Sequence, residues 1–375
     1  MGKNKVEHEK FMRRALKLAL KAKGQTNPNP LVGALLVKNG RIIGQGYHRA
    51  AGMAHAEIVA LDKAGPAARG SKLYITLEPC CHFGQTPPCV NRIAESGVKE
   101  VIFAMYDPNP LNNGKGARFL RRHGIKVSSG ILEKEARELN QVFIKYIAKK
   151  IPFVTVKVAQ SLDGKIATQT GYSRWISCAS SRRFVHKLRS SVDAVLVGIN
   201  TILTDDPLLS CRLNGHLYKR QPKKIIVDSR LRLRPKMKIF SAVSPGQVII
   251  ATTRFAPCAK VLSFRNKGAW VIIARDEGRK VNLRDLLKKL AGRGIAHVLI
   301  EGGGEIIASA LEKRLVDRML VFISPKIVGG RDAPTAVEGK GVQVIEQAKE
   351  LKDMKFRKVG SDLLIEGRVK AKLSR

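Results

Sequence analysis

Apolar residues recur at helical spacing near the beginning of the chain, and short apolar runs follow. A helix is predicted over residues 7–23, and Gly24 follows as its C-terminal cap. Its apolar face consists of Phe11, Ala15, Leu18, Ala19 and Ala22. The runs 31–37 and 42–47 flank Lys38-Asn39-Gly40-Arg41. An Asn-Gly turn between two such runs predicts a β-hairpin.

Strand-like runs then alternate with helical patterns up to residue 149. Strands are predicted at residues 72–77, 100–105 and 126–128, and helices at residues 55–64, 87–96, 115–122 and 133–149. Such alternation is typical of a layered α/β domain. Residues 1–148 are therefore predicted to form one α/β domain.

The pattern restarts after the stretch 148–152, which ends in Pro152. Strands are predicted at residues 153–159, 194–197, 224–227, 247–251, 270–273 and 297–300, and helices at 180–190, 282–291 and 304–314. Short β-like runs fill the C-terminal part. A chain of 375 residues is too long for one typical domain, so residues 152–375 are predicted to form a second α/β domain.

The composition indicates a globular protein without a membrane segment. Hydrophobic residues make up 44% of the chain and charged residues 26%, so it can bury sizeable cores. We find neither an apolar run long enough for a transmembrane helix nor a signal-peptide pattern at the N-terminus. Three of the six cysteines cluster at positions 80, 81 and 89, which favours a metal or catalytic site over a disulfide framework. We therefore expect a cytoplasmic protein.

The chain is strongly basic, with 69 Lys and Arg against 30 Asp and Glu and a net charge of +39. The excess is spread over both predicted domains. It is compatible with a nucleic-acid partner, with small anionic ligands, or with a merely solvated basic surface. Five basic residues alternate at period two and form either one face of an extended segment or a solvated loop: Arg230, Arg232, Arg234, Lys236 and Lys238.

The strongest chemical signal is His55-Ala56-Glu57, followed by Pro79-Cys80 and then Cys89. One histidine and two cysteine thiolates make a three-ligand zinc site whose fourth position is open for water. Zinc lowers the pKa of that water so that hydroxide is available, and a nearby carboxylic acid, Glu57, can transfer the protons that deamination requires. Cys81 in place of Cys80 and a non-catalytic zinc site remain alternatives.

The flanking motifs carry a family resemblance. The stretches Asn27-Pro28-Asn29-Pro30, Gly46-Tyr47-His48, His55-Ala56-Glu57 and Leu77-Glu78-Pro79-Cys80-x-His82-x-Gly84-x-Thr86-Pro87-Pro88-Cys89 closely resemble the RibD family of bifunctional riboflavin-biosynthesis enzymes. The resemblance implies a cytidine-deaminase-like three-layer first domain. It also implies that Asn27, His48 and His82 bind a phosphorylated pyrimidine. Gln85 and Cys81 depart from the family pattern, in which Lys or Arg and Ser are frequent.

The resemblance continues through the second domain. Lys157-x-Ala159-x-Ser161-Leu162-Asp163-Gly164-Lys165, Ser173-x-Trp175-Ile176, Asp205-Asp206-Pro207, Val227-Asp228-Ser229 and Glu301-Gly302-Gly303-Gly304 are similar to the reductase half of the same family. That half resembles dihydrofolate reductase and uses NADPH to convert the ribosylamino group to ribitylamino. Without the resemblance, the glycine-rich turn could be an ordinary strand–helix turn, and Trp175 would be expected in the core.

The resemblance implies a residue set for the second site. Asp205 is carried over as a catalytic acid near the cofactor and the substrate. The residues expected to bind cofactor are Ala159, Trp175, Thr201, Asp205, Ser229, Gly303, Gly304 and Glu305. Those expected to bind substrate are Lys157, Ser173, Arg189, Leu209, Arg212 and Glu301. Arg189 and Arg212 would hold the substrate phosphate, because a guanidinium pairs well with phosphate.

The sequence therefore predicts a zinc deaminase fused to an NADPH reductase, acting as a homo-oligomer on small phosphorylated pyrimidines. The family resemblance implies that zinc-activated water deaminates 2,5-diamino-6-ribosylamino-4(3H)-pyrimidinone 5′-phosphate. NADPH would then reduce the ribosyl chain of 5-amino-6-(5-phosphoribosylamino)uracil.

One rival function is that of a nucleic-acid base deaminase with an accessory RNA-binding domain, which the charge favours and the long Cys80–Cys89 gap opposes. The other is a degenerate binding protein, which the intact His55, Glu57, Cys80 and Cys89 set opposes.

Overall fold

The chain divides into two compact units, Met1–Lys150 and Ile151–Arg375. The computed structural model describes residues 2–84, 86–213, 215–241 and 244–370. Gln85, one of the two departures from the family pattern, lies outside the described residues. Each unit has its own β-sheet and its own apolar core, so each is described separately.

The first unit is built on a five-stranded sheet with the strand order β2-β1-β3-β4-β5. Its strands are β1 (Gly33–Lys38), β2 (Arg41–Tyr47), β3 (Lys72–Ile75), β4 (Glu100–Phe103) and β5 (Lys126–Ser129). Its helices are α1 (Gly2–Ala19), α2 (Ala56–Ala64), α3 (Cys89–Glu95), α4 (Lys115–Arg122), α5 (Glu133–Leu139) and α6 (Gln141–Lys149). β1 is antiparallel to β2 and β3, whereas β3, β4 and β5 run parallel.

Glycines set how closely α1 and α2 approach this sheet. A Cβ atom on Gly33 would lie 2.1 Å from the carbonyl oxygen of Ala15 in α1, and one on Gly46 would lie 2.3 Å from that of Ala56 in α2. Gly46 pairs with Ala34, the residue after Gly33. Successive residues of a strand face opposite sides, and paired residues face the same side. The two helices therefore cover opposite faces, which makes the predicted three-layer α/β arrangement.

The helix predicted over residues 133–149 is interrupted. It ends at Leu139 and restarts at Gln141, and Asn140 between them is buried. The Asn140 side chain accepts from the Leu31 N–H at 2.8 Å and donates to the Leu31 carbonyl at 3.1 Å. This long-range pairing of the Leu31 backbone replaces one continuous helix with two shorter ones.

The second unit is built on a nine-stranded sheet with the order β12-β11-β10-β7-β15-β6-β16-β18-β17. Its strands are β6 (Phe153–Gln160), β7 (Ala194–Gly198), β8 (Arg212–Leu213), β9 (His216–Leu217), β10 (Lys223–Val227), β11 (Val248–Thr252), β12 (Trp270–Ile273), β13 (Asp276–Glu277), β14 (Lys280–Val281), β15 (His297–Gly302), β16 (Arg318–Ile323), β17 (Leu351–Val359) and β18 (Asp362–Val369). Its helices are α7 (Ala179–Arg189), α8 (Ile199–Asp205), α9 (Cys258–Asn266), α10 (Leu283–Ala291) and α11 (Gly304–Glu312).

Seven strands of this sheet, from β12 to β16, run parallel, and β18 and β17 close one edge in antiparallel pairs. Their apolar side chains lie in three clusters of buried residues. Both units thus confirm the predicted α/β class. Within the part of the chain that the structure describes, no helix is long and apolar enough to cross a membrane.

The basic segment after β10 forms an irregular loop. Leu231 and Leu233 are buried, while the intervening Arg232 and the following Arg234 are exposed. The Leu233 N–H donates to the Asp228 carboxylate at 2.8 Å, which fastens the loop to the end of β10. The alternation in the sequence therefore reflects anchoring leucines in a loop with solvated cations, and no strand forms there.

Candidate active sites

Three elements of the first unit bring one histidine and two cysteines together. His55 precedes the first residue of α2, Cys80 lies in the loop after β3, and Cys89 is the first residue of α3. The Nδ1 atom of His55 lies 3.1 Å from Sγ of Cys89 and 3.6 Å from Sγ of Cys80. All three donor atoms lie within 4.8 Å of one another.

This donor set fits a zinc ion. Tetrahedral coordination with ordinary Zn–N and Zn–S bond lengths separates the nitrogen from each sulfur by about 3.5 Å, close to both observed distances. Cys81 is not part of the group. The other ring nitrogen of His55 lies 3.3 Å from the Thr86 hydroxyl, and such a partner fixes the orientation of a metal-binding histidine.

The environment favours a thiolate at this position. The pKa of Cys80 is lowered to about 4 because it accepts a hydrogen bond from the Cys89 thiol. Hydrogen bonds from His55 and from the Cys89 backbone N–H, at 3.3 Å, act in the same direction. A thiolate is the form that binds metal.

Glu57 lies one residue into α2 and is buried beside the metal-binding group. Its Oε2 atom has no hydrogen-bond partner among the residues that the structure describes. Burial raises the pKa of Glu57, with His55 acting in the opposite direction. A buried carboxyl group with a free oxygen and a raised pKa is suited to accepting and donating protons.

Glu78 lines the same cavity and differs from Glu57 in its bonding. Its carboxylate accepts from the backbone N–H groups of Gly114 and Ala117 at 2.9 and 3.0 Å, and from that of Asp107 at 3.3 Å. These three donors occupy both carboxylate oxygens. Glu57 is therefore the better placed of the two glutamates for proton transfer.

A cavity of about 240 Å³ opens beside the metal-binding group. His48 and His82 line it, as does Asn29, whereas Asn27 is not among the lining residues. The Nε2 atom of His48 lies 3.3 Å from the Asn29 amide, and its Nδ1 lies 3.3 Å from the Ala54 carbonyl. Burial lowers the pKa of His48, so a neutral ring that donates from Nδ1 to Ala54 is favoured.

The sequence reasoning missed part of this cavity wall. Asp107 and Asn109, which follow β4, line the cavity together with Phe143, Tyr146 and Ile147 of α6. Burial raises the pKa of Asp107 to about 6. Because β3 and β4 are parallel neighbours, the residues that follow them meet at one sheet edge. Polar residues directly after the predicted strand 100–105 were the signal that would have found Asp107 and Asn109.

The second unit contains two adjoining cavities of about 750 and 1060 Å³. They share Ile166, Ser173, Thr201, Asp205, Gly303 and Gly304. The smaller cavity is also lined by Lys157, Ala159, Trp175, Arg189, Leu209, Arg212 and Glu301, and the larger by Ser229 and Glu305. Every residue predicted for the second site thus lies on one of two connected cavities.

Arg189 is held in a buried ion pair with Glu301. Its Nε and Nη2 atoms donate to the two carboxylate oxygens of Glu301 at 2.6 and 2.8 Å, and its Nη1 donates to the Ser210 carbonyl at 3.0 Å. The Lys157 ammonium lies 3.4 Å from the same carboxylate. Three of the five N–H donors of Arg189 are therefore occupied by the protein itself.

The remaining predicted residues differ in exposure. Arg212 is exposed. Trp175 is 60% exposed, with the Arg182 guanidinium 4.4 Å from its ring centroid, so the expectation of a core position for this tryptophan is wrong. Asp205 ends α8 and accepts from the Ser173 hydroxyl at 3.5 Å. Gly303 precedes the first residue of α11, which places a side-chain-free helix N-terminus on both cavities.

The Ser229 hydroxyl accepts from the Val281 N–H at 3.0 Å, and Glu305 pairs with Lys280 at 3.5 Å. Both contacts are with β14 (Lys280–Val281). They tie the end of β10 and the start of α11 to that short strand, which completes the wall of the larger cavity.

Fold and sites together define a two-part enzyme with a zinc-type deaminase centre in the first unit and a separate ligand-binding cleft in the second. The family model for the cytidine and deoxycytidylate deaminase zinc-binding region matches residues 5–105, and that for the RibD C-terminal domain matches residues 152–365. The chain belongs to the RibD family.

Individual relatives agree over the whole length. The riboflavin biosynthesis protein RibD of Aquifex aeolicus is 43% identical over 355 residues, covering 95% of this chain and 96% of the relative. A solved structure of Acinetobacter baumannii RibD superimposes with a TM-score of 0.88 at 34% identity, covering 98% and 100% of the two chains. The diaminohydroxyphosphoribosylaminopyrimidine deaminase/5-amino-6-(5-phosphoribosylamino)uracil reductase of Thermotoga maritima superimposes with a TM-score of 0.84 at 36% identity and the same coverage.

Proposed function

We propose that this chain catalyses two successive steps of riboflavin biosynthesis. Residues 1–148 deaminate 2,5-diamino-6-ribosylamino-4(3H)-pyrimidinone 5′-phosphate. Residues 152–375 reduce the ribosyl chain of the product, 5-amino-6-(5-phosphoribosylamino)uracil, with NADPH. The observation that carries this proposal is the His55–Cys80–Cys89 group beside a buried Glu57 with a free carboxylate oxygen, on a chain whose second unit is a RibD C-terminal domain.

His55, Cys80 and Cys89 would hold a zinc ion in the first unit, and the ion would supply an activated water for attack on the amino-bearing ring carbon. Glu57 would accept a proton during this attack and deliver protons to the ring nitrogen and the departing amine. His48, with its Nδ1 proton directed at Ala54 and Asn29 beside its other nitrogen, orients the ring together with His82. The enclosing wall of α6 excludes bulk water.

The second unit would hold NADPH in the larger cavity and in the adjoining part of the smaller one, which Ala159 and Trp175 line, and the sugar phosphate in the rest of the smaller cavity. When bound there, NADPH would supply the reducing equivalent for the sugar carbon. The N-terminus of α11 at Gly303 and Gly304 suits the cofactor phosphates, because helix N-terminal N–H groups attract anions. Arg212, exposed at the mouth of the smaller cavity, binds the substrate phosphate. Asp205 lies where the two cavities join, next to the position of the reacting atoms.

The partner of this enzyme is a small molecule, and we infer no dedicated nucleic-acid partner. The exposed Arg232 and Arg234 lie in an irregular loop that is anchored by the buried Leu231 and Leu233, so they do not form the one-sided basic face of an extended strand. Binding to RNA should therefore be weak and fall steeply with salt, and deamination of tRNA or single-stranded DNA by the pure protein would favour the rival function.

We further infer a homo-oligomeric, cytoplasmic enzyme. β17 is an edge strand of the nine-stranded sheet, and its Met354 and Phe356 side chains are exposed, a combination that favours pairing with a second chain. All six cysteines are free, as expected in a reducing compartment. Light scattering that gives a monomer mass at micromolar concentration would contradict the oligomer, and export of the chain would contradict the localisation.

The direct test supplies purified protein with the diaminopyrimidine phosphate, with and without NADPH. Without NADPH we expect ammonia and the deaminated ribosylamino product. With NADPH we expect cofactor oxidation and the ribitylamino product by mass spectrometry, with the pyrimidine ring unreduced. Deamination without any NADPH oxidation would leave the second half of the proposal without support, and absence of ammonia release would refute the first.

A further inference from the structure

A buried amide, Asn112, connects the turn that carries Cys80 with the cavity wall. Its side chain is 0% exposed. The Nδ2 group donates to the Pro79 carbonyl at 3.2 Å and to Oδ2 of Asp107 at 3.2 Å. The Oδ1 atom accepts from the Cys81 N–H at 2.9 Å. Both hydrogens and the oxygen of the amide are thus used. One hydrogen and the oxygen bond to the residues directly before and after Cys80, and the other hydrogen bonds to Asp107.

Glu78 reinforces this connection from the other side. Its carboxylate accepts from backbone N–H groups at residues 107, 114 and 117. Gly116 packs so closely on this turn that a Cβ atom there would lie 2.1 Å from the Pro79 carbonyl oxygen. Residues 78–81 and residues 107–117 are therefore fixed against each other by buried hydrogen bonds and by close packing.

We propose that Asn112 is a positioning residue of the deaminase site, an inference that rests on the proposed function. It fixes the backbone on both sides of Cys80 and thereby the direction of the Cys80 thiolate relative to His55. It also holds the side chain of Asp107, whose Oδ1 accepts from the Asn109 N–H at 2.9 Å. One amide thus aligns a metal ligand with the two polar residues of the facing wall.

The side chain acts only through these neighbours. Asn112 does not line the cavity, and every polar atom of its side chain is engaged within the protein, so it does not touch substrate. Groups that orient a metal ligand in this way typically change metal affinity or activity by about 10–100-fold when they are removed. An amide that only filled space in the core would leave the metal affinity of a folded variant unchanged.

The test compares Asn112→Ala and Asn112→Asp with wild type in the full zinc-loaded chain. Zinc affinity is measured by competition with a chromogenic chelator, deamination by ammonia release, and reduction of supplied intermediate by NADPH oxidation. We expect zinc to be held about 10–100-fold more weakly and deamination to fall in kcat, while reduction stays at the wild-type rate. Asn112→Asp keeps the acceptor for Cys81 and sets a carboxylate against Asp107 and the Pro79 carbonyl, so it should be no better than alanine.

Asn113→Ala is the matched control, since Asn113 is the next residue and is exposed. It should retain zinc affinity and both activities. Circular dichroism establishes that each variant is folded, and Asn112→Ser replaces Asn112→Ala if the latter is not. Wild-type zinc affinity and kcat in a folded Asn112 variant would overturn the proposal. Lack of zinc or deamination in the wild-type chain would instead overturn the proposed function.

Discussion

The buried pair of Arg189 and Glu301 allows a quantitative prediction for Arg189→Met. The side chains are only 15% and 5% exposed, and two hydrogen bonds join them. Methionine removes the charge and keeps most of the side-chain volume. The substitution leaves the Glu301 carboxylate buried, with only the Lys157 ammonium at 3.4 Å to compensate its charge.

The pKa of Glu301 sets the magnitude. Burial alone would raise it, but Arg189 and Lys157 outweigh burial and lower the pKa from 4.5 to about 2. That difference corresponds to about 3 kcal/mol of stability, which agrees with the cost of about 3–5 kcal/mol for removing one partner of a buried ion pair. Because Lys157 remains, we expect Arg189→Met to cost about 2–3 kcal/mol, or about 5–10 °C in Tm for a unit of this size.

The effect should depend on pH in a defined direction. A carboxyl group with a depressed pKa stabilises the folded state above its unfolded pKa, and this contribution is lost as the pH falls through the folded value. The free energy of unfolding of the wild-type protein should therefore exceed that of Arg189→Met by the largest margin at neutral pH. The difference should shrink between about pH 4.5 and pH 2.

Tryptophan fluorescence is a suitable assay, because both tryptophans of the chain, Trp175 and Trp270, lie in the second unit. Arg183→Ala is the control: Arg183 lies on the same helix, is exposed and bonds only to the Ser180 hydroxyl. Adding Glu301→Gln to Arg189→Met should recover part of the lost stability, since the buried carboxylate is then removed and only the Lys157 ammonium is left without its partner. The reasoning would be refuted if Arg189→Met lowered the free energy of unfolding by less than about 0.5 kcal/mol at neutral pH, or if the loss of stability did not depend on pH.

Three further outcomes concern the two sites. Cys80→Ser and Cys89→Ser should each lose the zinc that wild type holds at about one ion per chain, whereas the exposed Cys258→Ser should keep it; full zinc in both ligand variants would contradict the assignment. Glu57→Gln should bind zinc and lose deamination by about 10²–10⁴-fold with reduction intact, and near-normal ammonia release would remove Glu57 from the mechanism. Arg212→Ala should raise the apparent KM for the deaminated sugar phosphate about tenfold to a hundredfold without affecting deamination, and an unchanged KM would mean that the phosphate binds elsewhere.

The deaminase centre could be predicted because its chemistry requires particular residues in short sequence motifs. His55 and Glu57 are two residues apart, and Pro79-Cys80 and Cys89 occur at boundaries of predicted elements. The order of these motifs was enough to predict that His55, Cys80 and Cys89 lie close together, although His55 and Cys89 are 34 positions apart in the sequence. Of the two adjacent cysteines the sequence favoured Cys80, which follows Pro79 directly, and the structure groups Cys80 with His55 and Cys89.

Other features could not be predicted because they arise from long-range contacts. Nothing in the helical pattern of residues 133–149 reveals that Asn140 bonds to Leu31, 109 residues away. The helices α8 and α9 were missed for a different reason. Each buries only two residues, which is too few to produce a recognisable helical pattern of apolar residues. The pairing of Arg189 with Glu301 was also invisible in the sequence, because 112 positions separate the two residues.

The close approach of α2 to β2 has a consequence for how the deaminase can be lost. A methyl group on Gly46 would collide with the Ala56 carbonyl at 2.3 Å and with the Val59 Cβ at 2.7 Å, in the turn of α2 that holds Glu57. Such a substitution would move the proton donor without touching any group that reacts. The distance between α2 and the sheet thus determines where Glu57 lies. Adding one carbon atom at Gly46, a residue that lines neither site, would impair deamination and leave the reductase unaffected.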